Sequence, residues 1–370
     1  MTTYAHITGW GMSVPEKIMT NDDIAELVDT NDEWIRDRTG IERRRIAGPE
    51  DTSATLGAEA ALEALEMANV LPSQVDLIIT ATSSPEHIFP ATASIIQDRI
   101  GATNAGAFDL SAACTGFIFA LDMATQSIRS GAIETAVVVG TETLSRLVDW
   151  TDRNTCILFG DGAGAFVLQA NDVRGGIVSS VMRSDGSGGD LLSIPAGGSA
   201  NPTTMDTIQS GLHFIQMNGR EVFRFATRVM AKASEEALEK AKWTADDLSL
   251  IIPHQANLRI INAAARGLKL PMEKFAVNLQ NYGNTSTASI PLATVEAAEE
   301  GRLRRNDKIV MVGFGGGLTW GAVTAIWTGP FPAEKPVNLT WQRVIASIRS
   351  RVLRLYRKIE GLIWGRGKSI

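Results

Sequence analysis

The chain has 370 residues, of which 44% are apolar and 21% charged, with 34 glycines and two cysteines. This length suits two domains or one duplicated unit, and the composition excludes a disordered or fibrous chain. Two cysteines cannot form a disulfide framework or a four-cysteine zinc site, and the net charge of −6 argues against a nucleic-acid binder. We expect no secretory signal and a cytoplasmic setting, because no basic segment followed by an apolar core opens the sequence.

Internal similarity predicts a duplicated architecture. Residues 64–79 align without gaps on residues 237–252, with seven of sixteen positions identical at an offset of 173. Each copy reads as a helix, a polar turn and an apolar strand. Aligning Gly131 with Gly301 gives an offset of 170, which sets Cys114 opposite Asn284. We predict two α/β halves, residues 1–172 and 173–330, joined at the turn segment NDVRGG, with the chemistry at their junction.

Cys114 lies between a predicted strand over residues 107–110 and a helical pattern from Phe117 onward. At a helix N-terminus, unpaired N–H groups and the helix dipole lower a thiol pKa from its usual value of about 8.5. The position therefore favours an activated nucleophile, and the alternative is a small buried core residue. Cys156, within an apolar stretch predicted as a strand, is expected to be structural.

Two glycine-rich segments imitate other motifs. Residues 160–165, GDGAGA, match a dinucleotide-binding pattern, but a strand follows where a helix should begin, so we predict a turn. Residues 309–333 carry no charge and are long enough for a membrane helix. Their repeated glycines favour two buried strands joined by a turn instead.

Three further positions could carry chemistry. His254 follows a predicted strand, at the strand end where ligands bind in open α/β sheets. Asn284 precedes a predicted helix, and its alternative role is that of a helix cap. The Gly315 to Gly317 turn allows a backbone N–H to approach a ligand closely and donate to an oxyanion, unless it is simply a mobile hairpin.

These motifs together resemble one family. DLSAACTGF around Cys114, PHQANLRI around His254, YGNTSTASIP around Asn284 and GFGGGLTWG around Gly316 are similar to those of the 3-oxoacyl-ACP synthases III, over about residues 3 to 328. The resemblance implies a thiolase fold and an enzyme that begins fatty-acid synthesis by condensing an acyl-CoA with malonyl-ACP. It also implies an acyl thioester on Cys114, with His254 and Asn284 holding the malonyl thioester oxygen.

The same resemblance implies roles for other residues. The N–H groups of Cys114 and Gly316 would form the oxyanion hole. The CoA site would contain Thr30, Trp34, Arg38, Arg153, Phe223 and Asn257. The acyl pocket would contain Leu144, Phe159, Phe314 and the partner's Phe89, which implies a homodimer. Acidic ACP would meet Arg220, Arg224, Arg259 and Arg266. No metal or redox cofactor is implied.

The chain continues beyond the part that resembles the family. Residues 331–370 hold nine Lys/Arg and two Asp/Glu, so residues 1–330 carry a net −13. After a proline-containing linker, apolar residues recur from Trp341 to Leu362 at alternating spacings of four and three, which predicts a basic amphipathic helix over residues 341–364. It could lie on an anionic membrane, pair with another helix or fold back on the acidic body, and we favour the first two.

Rival functions remain at this stage. A polyketide starter synthase or an acyltransferase with a non-ACP acceptor would keep the same three residues, so substrates alone distinguish them. A papain-like cysteine protease shares the order Cys, His, Asn but lacks its cysteine motif and disulfides. A catalytically inactive scaffold is disfavoured by the intact trio. The acyl primer is not determined by the sequence.

Overall fold

The computed structural model describes residues 3–330, 337 and 339–363, without some side chains of the last helix. In chain order the strands are β1 Tyr4–Ser13, β2 Ile18–Thr20, β3 Arg43–Arg45, β4 Leu77–Ala81, β5 Gly106–Leu110, β6 Thr135–Glu142, β7 Gly162–Asn171, β8 Gly176–Ser184, β9 Leu192–Ser193, β10 Gln216–Met217, β11 Leu250–Pro253, β12 Lys308–Gly315 and β13 Thr319–Ile326. The helices are α1 Asn21–Ala25, α2 Asp32–Thr39, α3 Ser53–Ala68, α4 Thr92–Ile100, α5 Gly116–Arg129, α6 Met205–Gln209, α7 Gly219–Ala241, α8 Leu258–Leu268, α9 Leu279–Tyr282, α10 Ser289–Glu299 and α11 Thr340–Ile363.

Two mixed sheets form the frame. The first has the strand order β1-β7-β6-β4-β5, and the second has the order β11-β12-β13-β8. In the first sheet β4 pairs in parallel with β5 and β6, whereas β7 runs antiparallel to both β1 and β6. In the second sheet β11 and β12 are parallel and β13 is antiparallel to its neighbours. All five strands of the first sheet precede residue 172, and all four strands of the second follow residue 175. The remaining strands form two small antiparallel pairs, β2 with β3 and β9 with β10.

Alternating side chains of these strands are buried on both faces of each sheet. On β6, Ala136 and Val138 join the central core with α5 and α10, while Val137 and Val139 pack under α3 and α4. On β12 the same period puts Ile309 in the central core and Val310 under α7 and α8. Because a strand reverses face at every residue, apolar runs of this kind need a layer on each side. The result is five layers, with α5 and α10 between the sheets.

The two halves repeat the same succession of elements, which confirms the predicted duplication. A 3-10 turn, Ala113–Thr115, runs directly into α5, and its counterpart, Ser286–Ala288, runs directly into α10. Ala113 and Ser286 both have positive φ, at 46° and 48°. The two turns are 173 residues apart, the same offset as the first aligned unit. The tips of the halves therefore meet through equivalent backbone.

The predicted alignment of Cys114 with Asn284 is wrong. At the observed offset Cys114 corresponds to Thr287, and Asn284 lies just before the turn. The cause is helix length, because α10 has 11 residues and α5 has 14. Matching Gly131 with Gly301 aligned the C-terminal ends of the two helices. The three-residue difference in length then displaced the alignment at their N-terminal ends.

Two local predictions also need correction, and one is confirmed. β7 begins at Gly162, so most of the GDGAGA segment is strand and not turn. Its glycines serve close packing, since a Cβ on Gly164 would lie 2.7 Å from Pro291 on α10. Cys156 is buried, as expected, but it lies in a turn and not in a strand. The uncharged segment from Ile309 forms β12 and β13, as predicted.

The C-terminal helix is present as predicted, over Thr340–Ile363. The linker prediction falls mostly on residues 331–336 and 338, outside the described residues, as do Trp364 and the side chain of Leu362. Within the described part of the chain, no helix combines the length and apolar character needed to cross a bilayer.

Candidate active site

Cys114 lies in the 3-10 turn at the start of α5 and is only 7% exposed. The β12 backbone packs directly against it, because a Cβ added to Gly315 would lie 2.6 Å from the Cys114 amide nitrogen. Only glycine permits that approach. The turn and the glycine segment therefore bring the nucleophile candidate of the first half against the second half.

The predicted lowering of the Cys114 pKa is wrong for this buried site. Burial raises the pKa of the thiol to about 11, and the nearby carboxyl of Glu142 raises it further. A hydrogen bond with Ser286 acts in the opposite direction but is the weaker effect. Loss of solvation thus outweighs the helix N-terminus, and the resting group is a thiol.

His254 follows β11 directly and is 1% exposed. Its Nδ1 and the Ser289 hydroxyl share a hydrogen bond of 2.6 Å, and the same hydroxyl accepts from the Gln255 N–H at 3.4 Å. Nε2 is buried with no hydrogen-bond partner among the described residues. Burial lowers the pKa of His254 to about 3, so the ring is neutral near pH 7.

Asn284 is fixed by the segment of the first half that contains Phe159. Its N–H donates to the Leu158 carbonyl at 2.8 Å, and its own carbonyl accepts from the Gly160 N–H at 3.1 Å. The side-chain Oδ1 accepts from the Ser286 N–H at 2.8 Å, a contact within the turn. Asn284 is not the helix cap that the sequence left open, because Thr285 caps the 3-10 turn and Ala288 caps α10. The Nδ2–H groups are the part of the amide that can donate to a ligand.

Cys114, His254 and Asn284 line one cavity of about 80 Å³, together with Phe223, Phe314 and other residues. This inner cavity shares Phe223 and Asn257 with an outer cavity of about 890 Å³. On its other side it shares Cys114 and Phe159 with a largely apolar cavity of about 210 Å³. The three cavities are therefore neighbours, and Cys114 lines both the inner cavity and the apolar one.

The outer cavity brings together most of the residues predicted for CoA. Trp34, Arg38, Phe223 and Asn257 line it. The guanidinium of Arg153 lies 4.1 Å from the Trp34 ring centroid, and that of Arg38 lies 4.6 Å away. Arg153 thus covers the ring face, and a flat base could enter between them only if the guanidinium moves. Thr30 is not among the lining residues, although its hydroxyl is buried without a hydrogen-bond partner in the described chain.

The apolar cavity contains part of the predicted acyl set. Leu144, Phe159 and Gly316 line it with Cys114. Phe314 does not: its ring packs edge-on against the His254 ring at 5.2 Å and lines the inner cavity, because its strand position faces the histidine side. Phe89 is 85% exposed and lines neither cavity in its own chain.

The arginines predicted for ACP are all exposed near the outer cavity or on its helices. Arg220 and Arg259 line that cavity. Arg224 lies one turn after Arg220 on α7, and Arg266 lies in the last turn of α8. Arg259 also pairs with Asp37 at 3.0 Å.

Sequence reasoning missed three polar residues that support the site. Ser286 contacts the thiol, Ser289 holds the imidazole, and Glu142 accepts from the Ser84 hydroxyl at 2.6 Å and the Thr287 hydroxyl at 3.0 Å. Glu142 thereby ties β6 to the second half. Both serines follow Asn284 within the YGNTSTASIP motif, and a search for hydroxyls just after Asn284 could have found them. Glu142 gave no signal, because an acidic residue ending a strand has no specific pattern.

No group of three or more potential metal ligands occurs in the described residues. Two duplicated α/β halves, with Cys, His and Asn at a buried junction reached from a large surface cavity, define a condensing acyltransferase of the thiolase fold. Residues 108–186 match the family model of 3-oxoacyl-[acyl-carrier-protein (ACP)] synthase III, and residues 238–327 match the model of its C terminal. The chain belongs to the 3-oxoacyl-ACP synthase III family, as the sequence motifs predicted, and this sets the protease alternative aside.

The matches to individual relatives span nearly the whole length of each relative. The beta-ketoacyl-[acyl-carrier-protein] synthase III of Roseiflexus sp. (strain RS-1) is 50% identical over 328 residues, which are 89% of this chain and 100% of that protein. The crystal structure of 3-oxoacyl-[acyl-carrier-protein] synthase III from Aquifex aeolicus VF5 has a TM-score of 0.81 and 47% identity, covering 87% of this chain and 99% of its own. The priming beta-ketosynthase from the R1128 polyketide biosynthetic pathway has a TM-score of 0.83 and 36% identity, covering 89% and 98%. About a tenth of this chain has no counterpart in them.

Proposed function

We propose that this chain condenses a short acyl-CoA with malonyl-ACP, giving 3-oxoacyl-ACP, CoA and CO₂ through an acyl thioester on Cys114. The observation that carries the proposal is the shared cavity of Cys114, His254 and Asn284, which has lining residues in common with an outer cavity and with an apolar pocket. A long thioester substrate can lie in the outer cavity, reach the sulfur and leave its acyl group in the pocket behind it.

In the first half-reaction the Cys114 sulfur attacks the acyl-CoA carbonyl. The C–S bond to CoA breaks, the thiol proton leaves with the CoA sulfur, and the acyl group stays on Cys114. The N–H groups of Cys114 and Gly316 receive the oxyanion, and one such donor is typically worth about 10² to 10³ in rate. Gly316 supports this role because it lines the pocket next to Cys114.

In the second half-reaction the malonyl thioester oxygen accepts hydrogen bonds from His254 Nε2 and Asn284 Nδ2. The malonyl C–C bond breaks, CO₂ leaves, and the electron pair stays on the α-carbon as an enolate. This carbon attacks the acyl-cysteine carbonyl, and the Cys114 thiolate leaves and is reprotonated from solvent. Each bond change uses only the thioesters, the carboxylate and these residues, so no metal or redox cofactor enters the proposal.

The neutral state of His254 fits this role. A neutral imidazole can donate from Nε2 only if Nδ1 carries no proton. Ser289 then donates its hydroxyl to Nδ1 and accepts from the Gln255 N–H, which agrees with the observed contacts. The low pKa keeps the donor uncharged across the physiological range.

The pocket supports a short primer. Its volume is about 210 Å³, against about 890 Å³ for the outer cavity. Leu144, Ile194 and Ile215 make its wall apolar. Acetyl and short branched groups are the primers we propose.

We propose a homodimer in which Phe89 reaches the pocket of the partner subunit. Ile88 and Phe89 are 87% and 85% exposed, and such adjacent exposed apolar residues are typical of an interface. β5 is an edge strand whose residue Phe108 is 41% exposed, so one strand edge lies open to pairing.

We propose a cytoplasmic location, which suits the two buried free cysteines and the CoA and ACP substrates.

The basic residues at the entrance support binding of acidic ACP. Arg220, Arg224 and Arg259 surround or adjoin the outer cavity in a body whose residues 1–330 carry a net −13. A local cationic cluster can steer an acidic partner to this cavity entrance.

For residues 341–364 we propose attachment to a membrane surface or to another helix.

The test is intact-mass measurement after mixing the protein with a panel of acyl-CoAs. We expect one acyl adduct with short primers, no adduct for Cys114→Ala, and an unchanged adduct for Cys156→Ala as the matched control. His254→Ala should still acylate but lose condensation with malonyl-ACP. Normal condensation by this variant would contradict the division of roles.

A second candidate is a priming enzyme that serves a specialised carrier. The similarity to the R1128 priming ketosynthase favours it, because the same three residues would do the same chemistry. Condensation assays with fatty-acid ACP and with a polyketide carrier protein distinguish the two, since the acyl-enzyme is common to both.

A further inference from the structure

The helix α11 rests on the body through only one of its sides. Ala346 is 6% exposed and packs against Gly101, just after α4. Ser350 donates to Asp98 at 2.6 Å, and Arg354 pairs with the same carboxylate at 3.2 Å. These three residues share one helical face, because they are separated by four and four positions. The contact is small and polar.

The start of the extension is also held to the body. The Val337 N–H donates to the side-chain oxygen of Asn69, which caps α3, at 2.6 Å. Leu339 is fully buried in the outer core beneath α3 and α4. The body therefore presents α11 in one orientation.

The opposite side of α11 is a continuous apolar stripe that the body does not cover. With 3.6 residues per turn, Ile348 and Leu355 lie about half a turn away from Ala346 and Ser350. Both are more than half exposed, at 56% and 58%. The other exposed members are Trp341, Val344, Ile345, Val352, Tyr356 and Ile359. The helix does fold back on the body, which was one of the three alternatives. It does so through the side that carries Ser350, and the apolar stripe stays uncovered.

Cations border the stripe on both edges. Arg351 and Lys358 are exposed along one edge, and Arg349 is exposed along the other. A second copy of α11 packed on this stripe would place these cations at flanking positions opposite one another, where like charges repel. An anionic lipid surface instead complements both the stripe and its borders.

We propose that α11 lies in the surface of an anionic bilayer, with the apolar stripe among the acyl chains and Arg349, Arg351 and Lys358 at the headgroups. Trp341 and Tyr356 belong to the stripe, and such rings are enriched at the boundary between headgroups and hydrocarbon. The side of α11 that carries Ser350 holds the enzyme body against the membrane. The extension thereby localises the condensing reaction at the membrane surface.

The test is flotation of the full chain with vesicles of phosphatidylcholine alone and of phosphatidylcholine with about one-third phosphatidylglycerol. We expect binding to the anionic vesicles only, lost at high salt because screening shortens the reach of the charges. Arg351→Gln with Lys358→Gln should lower the partition coefficient about 25-fold, from about fivefold for each cation.

The stripe has its own variant and a matched control. Ile348→Asp with Leu355→Asp should abolish binding, whereas Val173→Asp with Met205→Asp should not. The control pair is also exposed and apolar, at 66% and 68%, and changes the net charge equally. Acylation of Cys114 by an acyl-CoA verifies that each variant is folded.

Three results would overturn the proposal. One is failure of the unmodified chain to bind anionic vesicles, and another is equal binding to neutral vesicles. The third is a fall in the mass of the assembly when the stripe is changed in the absence of lipid, which would assign the stripe to a second copy of α11.

Discussion

The acid–base character of the candidate site is set by burial at Cys114 and His254. Burial raises the pKa of the thiol to about 11 and lowers that of the imidazole to about 3. A resting pair of thiolate and imidazolium is therefore disfavoured on both sides. In the proposed reaction charge would appear only after substrate binds, and N–H donors would have to stabilise it there.

This predicts the pH dependence of the free enzyme. The rate of Cys114 alkylation by iodoacetamide should rise about tenfold per pH unit between about pH 6 and about pH 9, since only the thiolate reacts and its pKa lies above this range. Peptide-resolved mass spectrometry separates Cys114 from Cys156. The denatured chain is the control and should level off above about pH 8.5. A plateau near neutral pH in the folded enzyme would instead reveal a stabilised thiolate.

The sequence could predict which residues meet at the candidate site but not their acidity. Cys114, His254 and Asn284 each stand beside a strand end or helix start, and those local patterns are visible in the chain. The pKa depends on how many layers cover the residue, and that is a property of the packed halves. For the same reason Phe314 was expected in the acyl pocket, although its strand register turns it toward His254.

At the level of elements, the site depends on the close meeting of the two 3-10 turns. β6 approaches the second turn so closely that a Cβ on Gly140 would lie 2.3 Å from the Thr287 carbonyl oxygen. Two residues further, Glu142 accepts from the Thr287 hydroxyl at 3.0 Å. The strand thus contacts the turn through both its backbone and a buried carboxyl, and this fixes Ser286 beside the thiol.

Substituting Gly140 by Ala tests this junction. The added methyl group must push β6 away from the turn, and overpacking of this kind costs about 1–3 kcal/mol. We expect a lower Tm in calorimetry and slower acylation of Cys114 by acyl-CoA. Gly186→Ala is the control, because a Cβ there meets nothing within 4 Å and its φ is not positive. Equal effects of the two substitutions on Tm and on the acylation rate would mean that the close approach of β6 to the turn does not determine either quantity.

The elements themselves were largely predictable from periodicity and punctuation. The uncharged, glycine-interrupted stretch from Ile309 predicted β12 and β13, and the repeated helix–turn–strand unit predicted the duplication. The register between the halves depended on the landmark: the offset of 173 from the aligned units holds at the two turns, whereas the match of Gly131 with Gly301 fails because α10 is shorter than α5 at its C-terminal end. Equal lengths are assumed whenever two segments are aligned by a single landmark such as Gly301.

On the scale of the whole molecule, charge is divided between an acidic body and a basic extension. Residues 1–330 carry a net −13, and residues 331–370 carry +7. An acidic carrier protein is therefore repelled by the average field of the body, and only nearby charges can reverse that effect. Fields from distant residues are screened beyond about 10 Å at 0.1 M salt. We therefore expect the cluster at the outer cavity to be the part of the surface that governs the encounter with ACP.

Neutralising Arg224 should weaken the encounter with ACP. Arg224 is exposed on α7 and pairs with Glu221, without lining the CoA cavity. For Arg224→Gln we expect the KM for malonyl-ACP to rise about fivefold at low salt, the equivalent of one unit-charge contact of about 1 kcal/mol in water. Acylation by acyl-CoA should keep its rate, because that half-reaction does not involve the carrier protein. Steady-state kinetics with malonyl-ACP and a single-turnover acylation assay measure the two effects.

Arg174→Gln provides the matched control for this charge. Arg174 is exposed in the turn between β7 and β8, at the end of the sheets away from Cys114, and its loss changes the net charge equally. If steering is local, only Arg224→Gln raises the KM, and the difference between the variants disappears at high salt. A similar rise for both variants would show that ACP responds to total charge, and the entrance cluster would then have no part in its recognition.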